Sequence, residues 1–197
     1  MTAAGSTVSA ARRNSTQMKR DNILLIAVKG LGFAVFGDIL GGIMTVSLAP
    51  LLSEWFIPYI ALLFTVFIYG SLLFTAGMKD GQKETKMLRA KRIDTIPKNR
   101  WIFVGLAMAG VELVPCAALL ACTLGAFALT GEILLGSYFV FGAFAPAFFI
   151  IEDVHAMSPA FPVILGAVYL IITPVAAQLG YKFGIDDKSF KDFMYEK

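Results

Sequence analysis

Two carboxylic acids, Asp38 and Glu112, lie deep inside long apolar stretches of the sequence. A charged carboxylate at the centre of a bilayer costs at least about 2.5 kcal/mol, so acids at that depth are rare and often belong to an ion or proton pathway. If both stretches are helices that run in the same direction, the two carboxyls lie roughly 12–17 Å from the same membrane boundary. Two carboxylates that share a dry site cannot both stay ionised. One hypothesis is therefore a buried acidic pair that binds a proton or a small cation.

Small residues share the helix faces on which these acids lie, and small residues allow close helix packing. We predict helix-packing contacts for five of them: Gly37, Gly41, Gly42, Gly105 and Ala109. Gly37 and Gly41 also have the GxxxG spacing of closely packed transmembrane helices. An alternative therefore stays open for the two acids. Each would be protonated, or hydrogen-bonded to a nearby hydroxyl or carbonyl group, and would only fix how the helices pack.

A second polar group consists of Glu152, Asp153 and His155. The first and last of these have the i, i+3 spacing found in carboxylate metal sites, but the motif occurs once and the chain has a single histidine. A solvated helix end is the better interpretation, and we predict no metal site and no cofactor. Motifs for a nucleophile elbow, a zinc protease, a P-loop and a dinucleotide fold are absent from the sequence. The sequence thus predicts a protein that is not an enzyme.

The composition is that of a membrane protein. Apolar residues make up 57% of the chain and charged residues 16%, against about 45–50% and 25% in soluble domains. The mean hydropathy is +0.73. No lysine or arginine occurs from Trp101 to Tyr181. A stretch of that kind contacts lipid or other membrane protein rather than water, so the lipid bilayer is the first partner that the sequence predicts.

Four stretches have the roughly 20 apolar residues that a transmembrane helix needs. They predict an all-α membrane domain over residues 23–181, with spans at about 23–52, 55–77, 101–124 and 161–181. Three polar segments complete the chain. They are a disordered tail at 1–22, a basic loop at 78–100 and an amphipathic tail at 182–197.

Residues 133–151 form a fifth apolar stretch, but they differ from the four spans. Gly142, Ala145 and Pro146 interrupt the middle, and acidic residues flank both ends without a lysine or arginine nearby. We favour a re-entrant or interfacial segment added to four transmembrane helices. Five transmembrane helices are the alternative.

The cationic residues are confined to three places. All 17 lysines and arginines lie before or at the start of the first span, in residues 78–100, or in the C-terminal tail. In the four-span topology all of them lie on one side, which the positive-inside rule makes the cytoplasm. We expect the basic loop to contact anionic lipid of the inner leaflet through Lys83, Lys86, Arg89, Lys91 and Arg92. The loop has no aromatic residues interleaved with its cations, so no nucleic-acid partner is expected.

Residues 77–81 (GMKDG) and 179–184 (LGYKFG) resemble small, uncharacterised multi-pass proteins of bacteria. The resemblance implies a bacterial plasma membrane protein and carries no activity or ligand. Two functions follow from the sequence as hypotheses. The first is a non-enzymatic membrane subunit or accessory protein that packs against a partner membrane protein or a second copy of itself. The alternative is a small transporter or ion-coupled carrier that uses Asp38 and Glu112.

Overall fold

A computed structural model describes residues 23–52, 56–126, 131–150 and 158–186, except for the side chains of residues 131–134. The predicted tail at 1–22 and residues 187–197 of the predicted amphipathic tail lie outside this part of the chain. The Glu152, Asp153 and His155 group lies outside it too.

The fold is all-α, with four long helices and a short additional segment, as the sequence predicts. The long helices are α1 (Ile23–Leu48), α2 (Ile57–Arg89), α3 (Arg100–Thr123) and α5 (Ala160–Ile185). Between α3 and α5 lie the short helix α4 (Gly131–Val140) and a 3₁₀ helix (Gly142–Phe149). Each long helix is long and apolar enough to cross a membrane.

Large apolar side chains point away from the bundle. Leu63 is 72% exposed, Phe67 70% and Val114 68%. Continuous apolar surface on several helices is not compatible with water, whereas lipid is a suitable solvent for it. The protein is a multi-pass membrane protein.

The helix directions follow from the contacts between glycines and neighbouring helices. Gly180 lies against the backbone of Phe74 and Gly184 against that of Met78, so α2 and α5 run parallel. By the same reasoning α3 and α5 run antiparallel, since Gly105 contacts Pro174 and Gly166 contacts Leu113. Residues 89, 100 and 185 therefore lie at one end of the bundle. Residue 23 lies there too, because Lys29 of α1 lines the same cavity as Lys79 and Lys83 of α2. We call this end the basic end, because the connection between α2 and α3 and its lysines and arginines lie there.

Four glycines bring α2 and α5 into backbone contact. A Cβ atom on Gly77, Gly81, Gly180 or Gly184 would meet a main-chain carbonyl oxygen of the opposite helix. Each helix thus carries a GxxxG pair that faces the other helix, which is the arrangement that allows closest approach in a membrane. These glycines belong to the two short motifs GMKDG and LGYKFG.

Helix α2 is longer than the sequence predicts. The expected span ends near residue 77 and a loop follows, but the helix continues to Arg89, and the non-helical connection covers only residues 90–99. The reason is that the extra turns are held by α5, where Gly81 packs against Tyr181 and Gly184. With 33 residues, α2 is about 50 Å long, which exceeds the roughly 30 Å hydrocarbon core.

Helix α4 and the 3₁₀ helix form an inserted segment (residues 131–150). Gly42 lies against the backbone of Tyr138, and Gly142 lies against the backbone of Asp38. The chain then returns, because the Phe148 ring contacts that of Phe161 in the first turn of α5, with 5.2 Å between centroids. The ten residues of α4 and the eight of the 3₁₀ helix each advance about 15 Å. The segment therefore enters the bundle to the depth of Asp38 and turns back without spanning.

Candidate functional site

Asp38 holds the inserted segment to α1. Its side chain is only 6% exposed, and its Oδ1 accepts hydrogen bonds from the backbone N–H of Ala143 (3.0 Å) and the hydroxyl of Tyr169 (3.1 Å). Ala143 is the second residue of the 3₁₀ helix, and the first N–H groups of a helix have no partner within it. The carboxyl of α1 therefore supplies the acceptor that the buried helix start requires.

Glu112 belongs to a ring of three polar side chains that connects α2, α3 and α5. The Tyr69 hydroxyl donates to Oε1, and the Thr173 hydroxyl donates to Oε2 at 2.9 Å. The two hydroxyl oxygens are themselves 2.9 Å apart. Tyr69 and Thr173 are fully buried, so this ring lies in the interior of the bundle.

The two acids therefore belong to one cluster, although no hydrogen bond among the described residues joins them directly. The Tyr69 and Tyr169 rings pack edge to face, with 5.8 Å between centroids, and this contact joins the two hydrogen-bonded groups. We call Asp38, Tyr69, Glu112, Tyr169 and Thr173 the central polar cluster. The sequence identifies its acids, whereas its tyrosines and its threonine are found only from the structure.

Within the described part of the chain, no cationic side chain is paired with these acids. Among the described residues, every hydrogen-bond partner of Asp38 and Glu112 is a neutral hydroxyl or backbone group. Three of these partners are Ala143, Tyr169 and Thr173. They come from the stretch between Trp101 and Tyr181, which contains no lysine or arginine. A buried carboxyl without a counterion is neutral or binds a cation. Uptake of a proton or a small cation is thus the chemistry that this arrangement supports.

Replacing Tyr69 by phenylalanine tests whether Glu112 carries a charge. Loss of a hydrogen bond to a neutral group costs about 0.5–1.5 kcal/mol, and loss of one to a charged group about 1.5–3 kcal/mol. Tyr69→Phe removes two contacts of the hydroxyl, one to Glu112 and one to Thr173. If both are bonds between neutral groups, we expect a total loss of about 1–3 kcal/mol. The free energy of unfolding in mixed SDS micelles measures it. Tyr59→Phe is the matched control, since Tyr59 lies on the same helix and is 56% exposed. A loss above about 3 kcal/mol would contradict a neutral Glu112.

A second polar cluster lies at the basic end. Glu84 is fully buried, forms an ion pair with Arg100, and accepts a hydrogen bond from the Tyr181 hydroxyl at 2.7 Å. Beside it the Trp101 indole N–H donates to Asp80 at 2.8 Å. We call Glu84, Arg100 and Tyr181 the basic-end cluster. Sequence reasoning missed it by counting its charges as part of a solvated loop. A signal was available, because Glu84 follows Gly77 and Gly81 on one helix face.

The five predicted packing residues all lie at contacts within this chain. Gly37 lies against Tyr69, and both Gly41 and Gly42 lie against the inserted segment. Gly105 lies against Pro174, and Ala109 is fully buried.

The five residues predicted to contact anionic lipid are exposed near the basic end. They are Lys83, Lys86, Arg89, Lys91 and Arg92. Their lipid contact stays a prediction, as does the role of the two acids. No protein-family model matches the chain, and no similar curated protein or solved structure is found.

Proposed function

We propose that this protein is a small, non-enzymatic carrier that binds a proton or a small cation in the central polar cluster. The observation that supports this function is a pair of carboxyls, the buried Asp38 and the partly buried Glu112. Their hydrogen-bond partners among the described residues are all neutral. Ionisable groups at this depth serve ion and proton pathways in membrane proteins by default.

The proton count in the Glu112 ring favours proton binding. Three oxygen-to-oxygen contacts connect Tyr69, Thr173 and Glu112. Each contact needs one proton, and each hydroxyl has one to donate. Two hydroxyls therefore fill two contacts. A protonated Glu112 fills the third by donating to the Tyr69 oxygen, and the Tyr69 hydroxyl then donates to Thr173. Release of that proton leaves one contact between two oxygens without a hydrogen, so the ring has to rearrange.

Asp38 connects ion binding to the backbone. Its carboxyl accepts the Ala143 N–H at the start of the 3₁₀ helix, and a proton or cation on this carboxyl weakens it as an acceptor. The inserted segment is then held less firmly to α1. Helices that are broken at mid-membrane depth and carry the binding site are a common feature of secondary transporters.

The proposal includes a location and an orientation. The basic end faces the cytoplasm, because all lysines and arginines then lie on that side. The resemblance of residues 77–81 and 179–184 to small multi-pass proteins of bacteria supports a location in a bacterial plasma membrane.

Flux through purified protein in liposomes tests the function. An imposed pH or cation gradient should drive proton or cation movement through the wild-type protein. We expect Asp38→Asn and Glu112→Gln each to reduce it at least tenfold, since general acid–base groups typically contribute about 10²–10⁴ to a rate. Asp94→Asn is the control, because Asp94 is exposed in the connection between α2 and α3. Folded Asn and Gln variants with wild-type flux would contradict the proposal.

A membrane subunit or accessory protein is the second candidate. The observation in its favour is the outward face of α3, where Ala107, Gly110, Ala117 and Ala118 are exposed. A Cβ on Gly110 would meet nothing within 4 Å. Small residues of this kind suit close packing of a partner helix. The flux measurement separates the two functions, since a subunit of this kind shows no gradient-driven flux with either carboxyl in place.

A further inference from the structure

A cavity of about 210 Å³ lies at the basic end, where α1, α2 and α3 meet. One water molecule needs about 10–15 Å³ of such space, so the cavity has room for several. Its lining includes the carboxyl of Asp80. The lining residues that lie deepest in the bundle are Gly30 and Phe33 of α1 and Ala76 of α2.

On α1 a single buried residue separates this cavity from Asp38. Gly30, Ala34 and Asp38 follow each other at intervals of four residues, so they share one helix face. Gly30 lines the cavity, Asp38 belongs to the central polar cluster, and Ala34 between them is only 1% exposed. The distance from Gly30 to Asp38 is about 12 Å along the helix.

Helix α2 has the same order of residues in the opposite direction. Ala76 lines the cavity and Tyr69 belongs to the central polar cluster. Leu73 lies between them on the same face, since it is three residues from Ala76 and four from Tyr69. Leu73 is fully buried.

Met108 of α3 completes the separation. It is fully buried, and a Cβ on Gly30 would lie 2.6 Å from its sulfur atom. A helical side chain leans toward the N-terminus of its helix, which for α3 is the basic end, so Met108 reaches from one turn before Glu112 toward the cavity. We call Ala34, Leu73 and Met108 the apolar layer. All three belong to one hydrophobic core.

We propose that the cavity is the entrance from the basic end to the central polar cluster, and that Met108 is the gate that closes it. This inference rests on the proposed carrier function, which requires the cluster to exchange its proton or cation with water. Apolar constrictions stop ions by excluding water, and the apolar layer is one residue thick on each helix. Methionine is unbranched and flexible, and Gly30 has no side chain that would confine it. Met108 is therefore the member of the layer that can move aside.

Cysteine labelling tests the entrance without a flux measurement. The background is the Cys116→Ala, Cys122→Ala variant of the full chain in lipid nanodiscs, and the probe is a small, water-soluble methanethiosulfonate. Ala76→Cys should react readily. Ala34→Cys should react at least about tenfold more slowly, because a thiol reacts as its thiolate, which needs water around it. Adding Met108→Ala should raise the rate at position 34 by at least about tenfold for the same reason.

Two control variants leave the apolar layer closed. Met108→Leu keeps the volume of the side chain, and Ile26→Ala removes apolar atoms from the cavity wall outside the layer. Both should leave the labelling rate at position 34 within about threefold of the background, because the packing of the layer is kept. If Met108→Ala does not fold, Leu73→Ala opens the same layer from α2 and should raise the rate equally.

Flux through the same variants in liposomes separates this proposal from the carrier function. Met108→Ala should increase gradient-driven flux. If the wild type shows no flux while labelling follows the expected pattern, the carrier function is wrong and the cavity is still the water path to the cluster. Two results would overturn the gate even with normal wild-type flux. One is equal labelling at positions 34 and 76 in the background, and the other is a rate at position 34 that neither Met108→Ala nor Leu73→Ala raises.

Discussion

Replacing Gly142 by alanine is expected to destabilise the folded protein by at least about 2 kcal/mol, near the upper part of the range for overpacked sites. The added Cβ would meet the carbonyl oxygen of Asp38 and lie 2.8 Å from its Cα. These are backbone atoms, so no side chain can move to make room, and the inserted segment has to shift away from α1. The hydrogen bond from Ala143 to Asp38 breaks with that shift. Unfolding in mixed SDS micelles measures the effect.

Gly136→Ala is the control for this substitution. Gly136 lies in α4 of the same inserted segment, and a Cβ there would meet nothing within 4 Å. Alanine is better than glycine in a helix by roughly 0.5–1 kcal/mol, so this variant should be as stable as the wild type or slightly more so. Equal stability of the Gly142 and Gly136 variants would show that the inserted segment does not pack on α1 in the folded protein.

Replacing Arg100 by glutamine is expected to cost about 3–5 kcal/mol, the loss typical when one partner of a buried ion pair is removed. Glu84 is fully buried, and after the substitution it keeps only the Tyr181 hydroxyl from the basic-end cluster. A carboxylate without its counterion is costly in such surroundings. The same unfolding measurement shows the loss.

The double variant Glu84→Gln with Arg100→Gln should recover most of the stability, because replacing both ions by neutral groups is often close to neutral. Arg89→Gln is the surface control. Arg89 is exposed in the last turn of α2, and surface pairs contribute about 0–1 kcal/mol. If the double variant were as unstable as Arg100→Gln, the unpaired Glu84 carboxylate would not be the cause of the stability loss.

The long helices were predictable from the sequence because lipid imposes a length and an apolar composition on each span. The inserted segment was predictable for a related reason. Gly142 and Pro146 interrupt an apolar stretch, and its flanks carry acids without cations. The end of α2 was not predictable by the same means, since past Gly77 the residues are polar and hydropathy no longer identifies a span, although Gly81 still packs against α5.

The partners of the two acids could not be predicted because hydropathy says nothing about which helices face each other. Tyr69, Tyr169 and Thr173 are separated from Asp38 and Glu112 by at least 31 residues in the sequence, and they meet only after the bundle forms. The same limit applies to Glu84 and Arg100. Their pairing depends on the turn between α2 and α3, where Lys91 has a positive φ of 55°. Nothing in the composition of residues 90–99 indicates that geometry.

The close contact of α2 and α5 has a mechanical consequence. Tyr69 and Glu84 are 15 residues apart on α2, or about 22 Å along one uninterrupted helix. Their partners Thr173 and Tyr181 are eight residues apart on α5, or about 12 Å. Since glycines fix the two helices backbone to backbone, they act as a single strut with one end in the bilayer centre and the other at its surface. Any sliding or tilting of this strut changes the hydrogen bonds of Glu112 and of Glu84 together. In the carrier that we propose, a protonation event at Glu112 would therefore reach the basic end without a separate relay.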